Sequence, residues 1–85
     1  MIIKLNDEMS QLLLQEVQDA SSLVISQKTV GLDMKELEVS DIQELQLLIN
    51  DEIAYRGLEN QDTINDFGKR LYDLYDEVLY QRHNN

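Results

Sequence analysis

The chain has no cysteine, no proline and no tryptophan, and it has only three glycines, one phenylalanine and one histidine. Each absence closes a route. Without cysteine there is no disulfide framework and no thiolate cage for zinc, which a secreted domain of this size often needs, so a reducing, cytoplasmic setting is expected. Without proline, and with so little glycine, the usual breakers of helices are scarce, which favours a helical reading. No apolar run approaches the 18 or so residues of a membrane span. The start Met1, Ile2, Ile3, Lys4, Leu5 lacks the long apolar stretch of a signal peptide.

Positive charge is the other scarcity. Seventeen Asp and Glu face seven Lys and Arg, a formal charge of −10. Such a balance disfavours direct binding to nucleic acid or to anionic lipid, and it attracts basic surfaces, including those that normally hold DNA or RNA. The plain alternative is acidity for solubility alone. The acids are unevenly spread: residues 33 to 66 carry ten of them against Lys35 and Arg56, a net charge of −8.

Eighty-five residues make one domain, spanning 1–85. A chain this short buries roughly 60% of the surface that its unfolded form exposes, so association with a partner or a second copy would add needed burial.

The apolar spacing predicts an all-α fold, a small three-helix bundle with helices over about 7–26, 40–56 and 62–82. The first would be capped by Asn6 or Asp7, with Met9, Leu12, Leu13, Val17, Ala20, Leu23 and Val24 as its core stripe. Beyond Ala20 the residues Val24, Ile25, Thr29 and Val30 suit strands better, so the helix end is open. Asp33 with Glu36 resembles a capping box for a short extra helix near 33–38, the alternative being an extended connector from Ser26 to Val39. The second helix would start at Ser40 with Gln43, carry the stripe Ile42, Leu45, Ile49 and Ile53, and close at a left-handed Gly57 with Leu58 folding back on Ile53. The third, after a connector of Glu59, Asn60, Gln61 and Asp62, would bury Ile64, Phe67, Leu71, Leu74, Tyr75, Val78 and Leu79, and pair Asp66 with Arg70 on its polar face.

Catalytic chemistry has little to stand on. His83 lies in a tail that should fray, no serine sits in a nucleophile elbow, no glycine-rich loop could cradle phosphate, and no calcium-binding loop is present. The paired acids Asp41 with Glu44 and Asp73 with Asp76, each at i and i+3, resemble in spacing the paired acidic motifs of all-helical nucleotide pyrophosphatases. That resemblance would imply Mg²⁺-dependent nucleotide hydrolysis. The chain departs from it in having no Lys and Arg cluster to hold a triphosphate, and Asp41 suits a capping role. The reading is therefore of a non-enzyme with no catalytic, cofactor or metal residues.

Binding chemistry is better supported. On the second helix Leu48 and Tyr55 lie off the core stripe on one line, with Leu47 near the back, and Glu44, Asp51 and Glu52 rim them. An aromatic centre with a charged edge is the composition of a protein interface, so Glu44, Leu47, Leu48, Asp51, Glu52 and Tyr55 are the candidate partner-binding residues. Tyr72 and Tyr80 would extend it or form a second patch. The leading expectation is a non-catalytic acidic inhibitor that docks on a basic, nucleic-acid-binding partner, sharing size and charge with antitoxins, immunity proteins and phage-encoded inhibitors. The alternative is a homodimeric accessory subunit built on Leu47, Leu48 and Tyr55, with the acids serving only solubility.

Overall fold

Residues 34 to 39, Met-Lys-Glu-Leu-Glu-Val, alternate with a period of two, which turns Leu37 and Val39 to one face and Glu36 and Glu38 to the other. In the computed structural model, which describes residues 1–59 and 63–84, this segment is the central strand of a sheet. The fold is α+β and the expected all-α bundle is overturned.

Strand β1 (Ile2–Asn6) leads into a short helix α1 (Asp7–Gln11), a π-helical segment (Leu12–Glu16) and a 3₁₀ turn (Ala20–Leu23). Strands β2 (Val24–Val30) and β3 (Met34–Val39) form a hairpin, followed by α2 (Ile42–Arg56), a two-residue ribbon of β4 (Leu58–Glu59) and β5 (Thr63–Ile64), and α3 (Asp66–His83). The sheet order is β1-β3-β2, both pairings antiparallel, with Ile3 opposite Leu37 and Lys28 opposite Glu36. The ladder is extended at one end by reciprocal bonds between the Met1 and Val39 backbones, and at the other by the Asp7 amide donating to the Asp33 carbonyl at 3.0 Å.

The helices cover one face of this sheet. Ile3, Leu5, Leu37 and Val39 point into a core completed by Leu12, Leu13, Val17 and Ala20, by Leu45, Ile49 and Ile53 of α2, and by Leu71, Leu74 and Val78 of α3. The other face is open, and on it Glu36 lies between Lys4 and Lys28 across the three strands, alternating charges that suit neighbours in a ladder.

The expected helix over 7–26 is present only as far as Glu16. Asn6 caps it, accepting from the Met9 amide at 2.7 Å. The π segment then lets the successive residues Leu12 and Leu13 as well as Val17 reach the core. Val17 turns extended, Asp19 takes a left-handed φ of 65°, and the β-branched run from Val24 enters the sheet. The expected short helix near 33–38 and the expected connector from Ser26 to Val39 are instead strand β3 and its hairpin with β2. The hairpin turns at Gly31, whose φ of +76° is a conformation glycine holds at no steric cost. Asp33 thus ends a turn rather than starting a helix.

The second helix begins two residues later than 40. Its cap is Asp41, whose carboxylate accepts from the Glu44 amide at 3.0 Å, while Ser40 is drawn to the sheet and donates to the Leu23 carbonyl. Gly57 is not left-handed; φ is −89°. It is glycine because a Cβ there would sit 2.9 Å from the Gly68 Cα, and one on Gly68 would sit 2.2 Å from the Gly57 carbonyl oxygen. The two helices meet at this bare contact. Asn65 locks it, accepting from the Gly68 amide as the cap of α3, donating from its side chain to the Arg56 carbonyl, and bonding its own amide to the Gly57 carbonyl. The third helix therefore starts at Asp66 rather than 62. The connector residues Asn60, Gln61 and Asp62, and the tail residue Asn85, lie outside the described residues.

Candidate functional site

The candidate residues on α2 separate into two groups. Leu48, Asp51, Glu52 and Tyr55 recur at helical spacing, and with Gln18 and Asp19 they line one shallow depression of about 370 Å³. Leu47, half exposed, turns to the other flank of the helix beside Gln43, Asn50, Tyr75 and Arg82. Glu44 sits in the first turn, its amide tied to Asp41. The six residues do not form one patch.

Within the first group each side chain does something different. Tyr55 is 87% exposed, so nearly the whole ring stands in water. Leu48 is partly buried and packs on the core, which makes it the floor of the depression. Asp51 is exposed on the rim, and Asp19 is the exposed acid across from it.

Glu52 is a structural residue. It is 8% exposed, accepts from the Gln18 amide at 3.2 Å, and accepts from Arg56 Nε at 2.8 Å. Arg56 reaches further, donating to the Glu16 carbonyl, approaching the Glu16 carboxylate at 3.6 Å, and lying 4.7 Å over the Phe67 ring. The hydrogen bond that Arg56 donates to Glu52 raises the Arg56 pKa above the ordinary arginine value, against a lowering by partial burial, and the charges of Glu52 and Glu16 add to the rise. One cation thus touches the π segment, α2 and α3 and holds Glu52 in the wall of the depression. An arginine is suited to this because its planar fork can meet a carboxylate, a carbonyl and a ring at once.

Gln18 and Asp19 were not legible in the sequence as site residues. They join α2 only because the chain leaves its helix after Glu16 and turns at Asp19, and no local pattern announces that turn.

The acid-rich stretch from 33 to 66 is divided by the fold. Glu36 and Glu38 lie on the open face of the sheet, beside a second depression that also takes in Ile2, Ser26, Gln27 and Lys28. Glu44 and Asp51 belong to α2, which Asp41 caps, in the layer on the opposite side of the sheet, and Glu52 is turned inward against Arg56. Asp66 lies within 4.0 Å of Lys69 rather than paired with Arg70, which instead lies 5.5 Å over Phe67. Among the described residues a single continuous negative face does not form.

Asp41 is occupied as a helix cap, and Asp73 is exposed near Asn6, Glu8, Met9, Leu12 and Arg70. Among the described residues no three His, Asp or Glu side chains gather in a way that could hold a metal ion. No described helix is long and apolar enough to cross a membrane. Tyr72 and Tyr80 are exposed on α3, 44% and 64%, and neither lines the Tyr55 depression.

Comparison of the chain with models of protein families, with curated proteins and with solved structures finds no match.

Proposed function

We propose that the protein is a non-catalytic, cytoplasmic binding protein that docks on a basic partner through the outer flank of α2 and the turn at Asp19. Tyr55 is the anchor, Leu48 the apolar floor, and Asp19 and Asp51 the rim that meets basic side chains. An aromatic side chain with 87% of its surface in water, beside a depression walled by the bonded Glu52, is the observation that carries the reading. Large exposed aromatics supply most of the energy of small interfaces, and a rim of one charge sets partner choice and association rate. The partner class that fits best is a nucleic-acid-binding enzyme, which the bound protein would inhibit by covering part of its basic surface.

Because the acids are split between two sides of the molecule, the footprint is narrow. The reading is of an aromatic plug with a charged rim, rather than an extended imitation of a phosphate backbone.

The test is affinity capture from the cells that make the protein, with wild type beside Tyr55→Ala and an Asp19→Asn, Asp51→Asn double variant, and identification of what is retained. A basic nucleic-acid-binding protein held by wild type should be lost from Tyr55→Ala, whose affinity should fall roughly thirtyfold, as for an interface anchor worth about 2 kcal/mol. The double variant should chiefly slow association and flatten its salt dependence. Equal retention by all three forms would overturn the proposal.

A further inference from the structure

The two edges of the sheet are unlike. On β1 the Lys4 amide and carbonyl both point outward to the Gln81 side chain, which accepts at 2.8 Å and donates at 2.6 Å. Because antiparallel residues alternate between facing their neighbour and facing away, Lys4 turning outward means that Glu36, opposite it, directs its backbone to Lys28 of β2. On β2 it is then Gln27 and Thr29 whose amides and carbonyls point away from the sheet. Neither is covered: every residue from Ile25 to Thr29 is exposed, and no described side chain bonds to them.

We infer that this edge of β2 is an interface with a second copy of the chain, the two strands pairing antiparallel about a twofold axis to make a continuous six-stranded sheet.

Charge is what selects the occupant. Two copies at −10 each repel at almost any approach, yet residues 20 to 32 form the longest stretch without an acid, thirteen residues with Lys28 as the one charge. This strand is the surface on which a second copy meets no acid. The register that places Gln27 on the twofold axis opposes Lys28 to Ser26 of the second copy and keeps the two lysines apart. Ile25, 63% exposed, falls where β2 bulges out of register with β3, so the pairing runs from Ser26 to Lys28 and does not count on it. Lys28 lies opposite Glu36 across the hairpin, so it does not guard the edge as an isolated lysine would. The Tyr55 depression takes no part.

The experiment is sedimentation equilibrium of the full chain from micromolar to roughly millimolar concentration, the weak end of specific association. The wild type should show a monomer–dimer equilibrium that tightens as salt is raised, because screening removes the repulsion between acidic copies. Gln27→Glu and Gln27→Lys each place like charges opposite one another at the axis. Each should weaken the dimer roughly tenfold, while an equimolar mixture of the two should recover it as a heterodimer. Gln27 is exposed and its side chain makes no hydrogen bond among the described residues, so both variants should fold, which circular dichroism checks. A wild type that stays monomeric at the highest concentration would overturn the inference. So would dimerisation indifferent to position 27, or a dimer dissolved by Tyr55→Ala instead.

Discussion

The edges of the three-stranded sheet pose the same physical problem and meet it differently. Each ends in a row of backbone groups that must find partners in protein or in water. At β1 the amide of Gln81, itself steadied by Glu77 at 2.9 Å, imitates a neighbouring strand and satisfies both groups of Lys4. At β2 nothing among the described residues does so, and from Ile25 to Thr29 the strand has both faces in water. An edge sealed by a side chain from residue 81 is a tertiary decision. An edge left open on the one long acid-free stretch of an acidic protein is a place where chemistry can still happen.

The largest test of this contrast acts on the joint that holds α3 over β1. Gly68→Ala should gain about 1 kcal/mol in helix propensity and lose about 3 kcal/mol to overpacking, since its Cβ would lie 2.2 Å from the Gly57 carbonyl oxygen. A net loss of about 2 kcal/mol in urea denaturation is expected, and faster amide exchange at Lys4 should accompany it as Gln81 is displaced. Unchanged stability would mean that the helices are not fixed at this contact.

Removing the seal alone should matter less. Gln81→Leu deletes three hydrogen bonds, two to Lys4 and one to Glu77, that water can partly replace, so a loss of about 1 kcal/mol is expected, with exchange at Lys4 raised while that at Leu37 is unchanged. A matched pair of prolines sharpens the comparison further. Lys4→Pro removes an amide that is bonded to Gln81, whereas Thr29→Pro removes one that faces water, so the first should cost about 1 kcal/mol more than the second. Equal costs would show that the two edges are equivalent after all. The smallest effect belongs to Tyr55→Ala, which should leave thermal stability within about 0.5 kcal/mol of wild type, because its ring is exposed.

Parts of this protein were legible without a structure. The stripes Leu45, Ile49, Ile53 and Leu71, Leu74, Val78 are buried as their spacing requires, Asn6 caps the first helix, and Leu48 and Tyr55 share a flank of α2. Even in the region read wrongly as one long helix, Leu12, Leu13, Val17 and Ala20 are core residues. The strands were hidden for particular reasons. β3 alternates, but Lys35, Glu36 and Glu38 are residues with little preference for sheets, and Asp33 with Glu36 imitates a helix start. β1 is five residues long and reads as an ordinary N-terminus. At the candidate site the same limit applied: Gln18 and Asp19 depend on a left-handed turn, and Glu52 looked like a rim acid until Arg56 was seen to hold it.

What the sequence by itself determined is the identity of two helices, the residues that must leave water, and the regional weight of negative charge. A helix closes its hydrogen bonds four residues away and shows its buried face every three or four, so a window of fifteen residues contains the evidence. The tertiary structure alone decided that Ile3 would lie beside Leu37, that Glu36 and Glu38 would fall on one side of a sheet and Glu44 and Asp51 on the other, and that Gln81 would cover one edge and leave the other bare among the described residues. Those pairings join residues tens of positions apart, and their free energy comes from contacts that no local pattern can record.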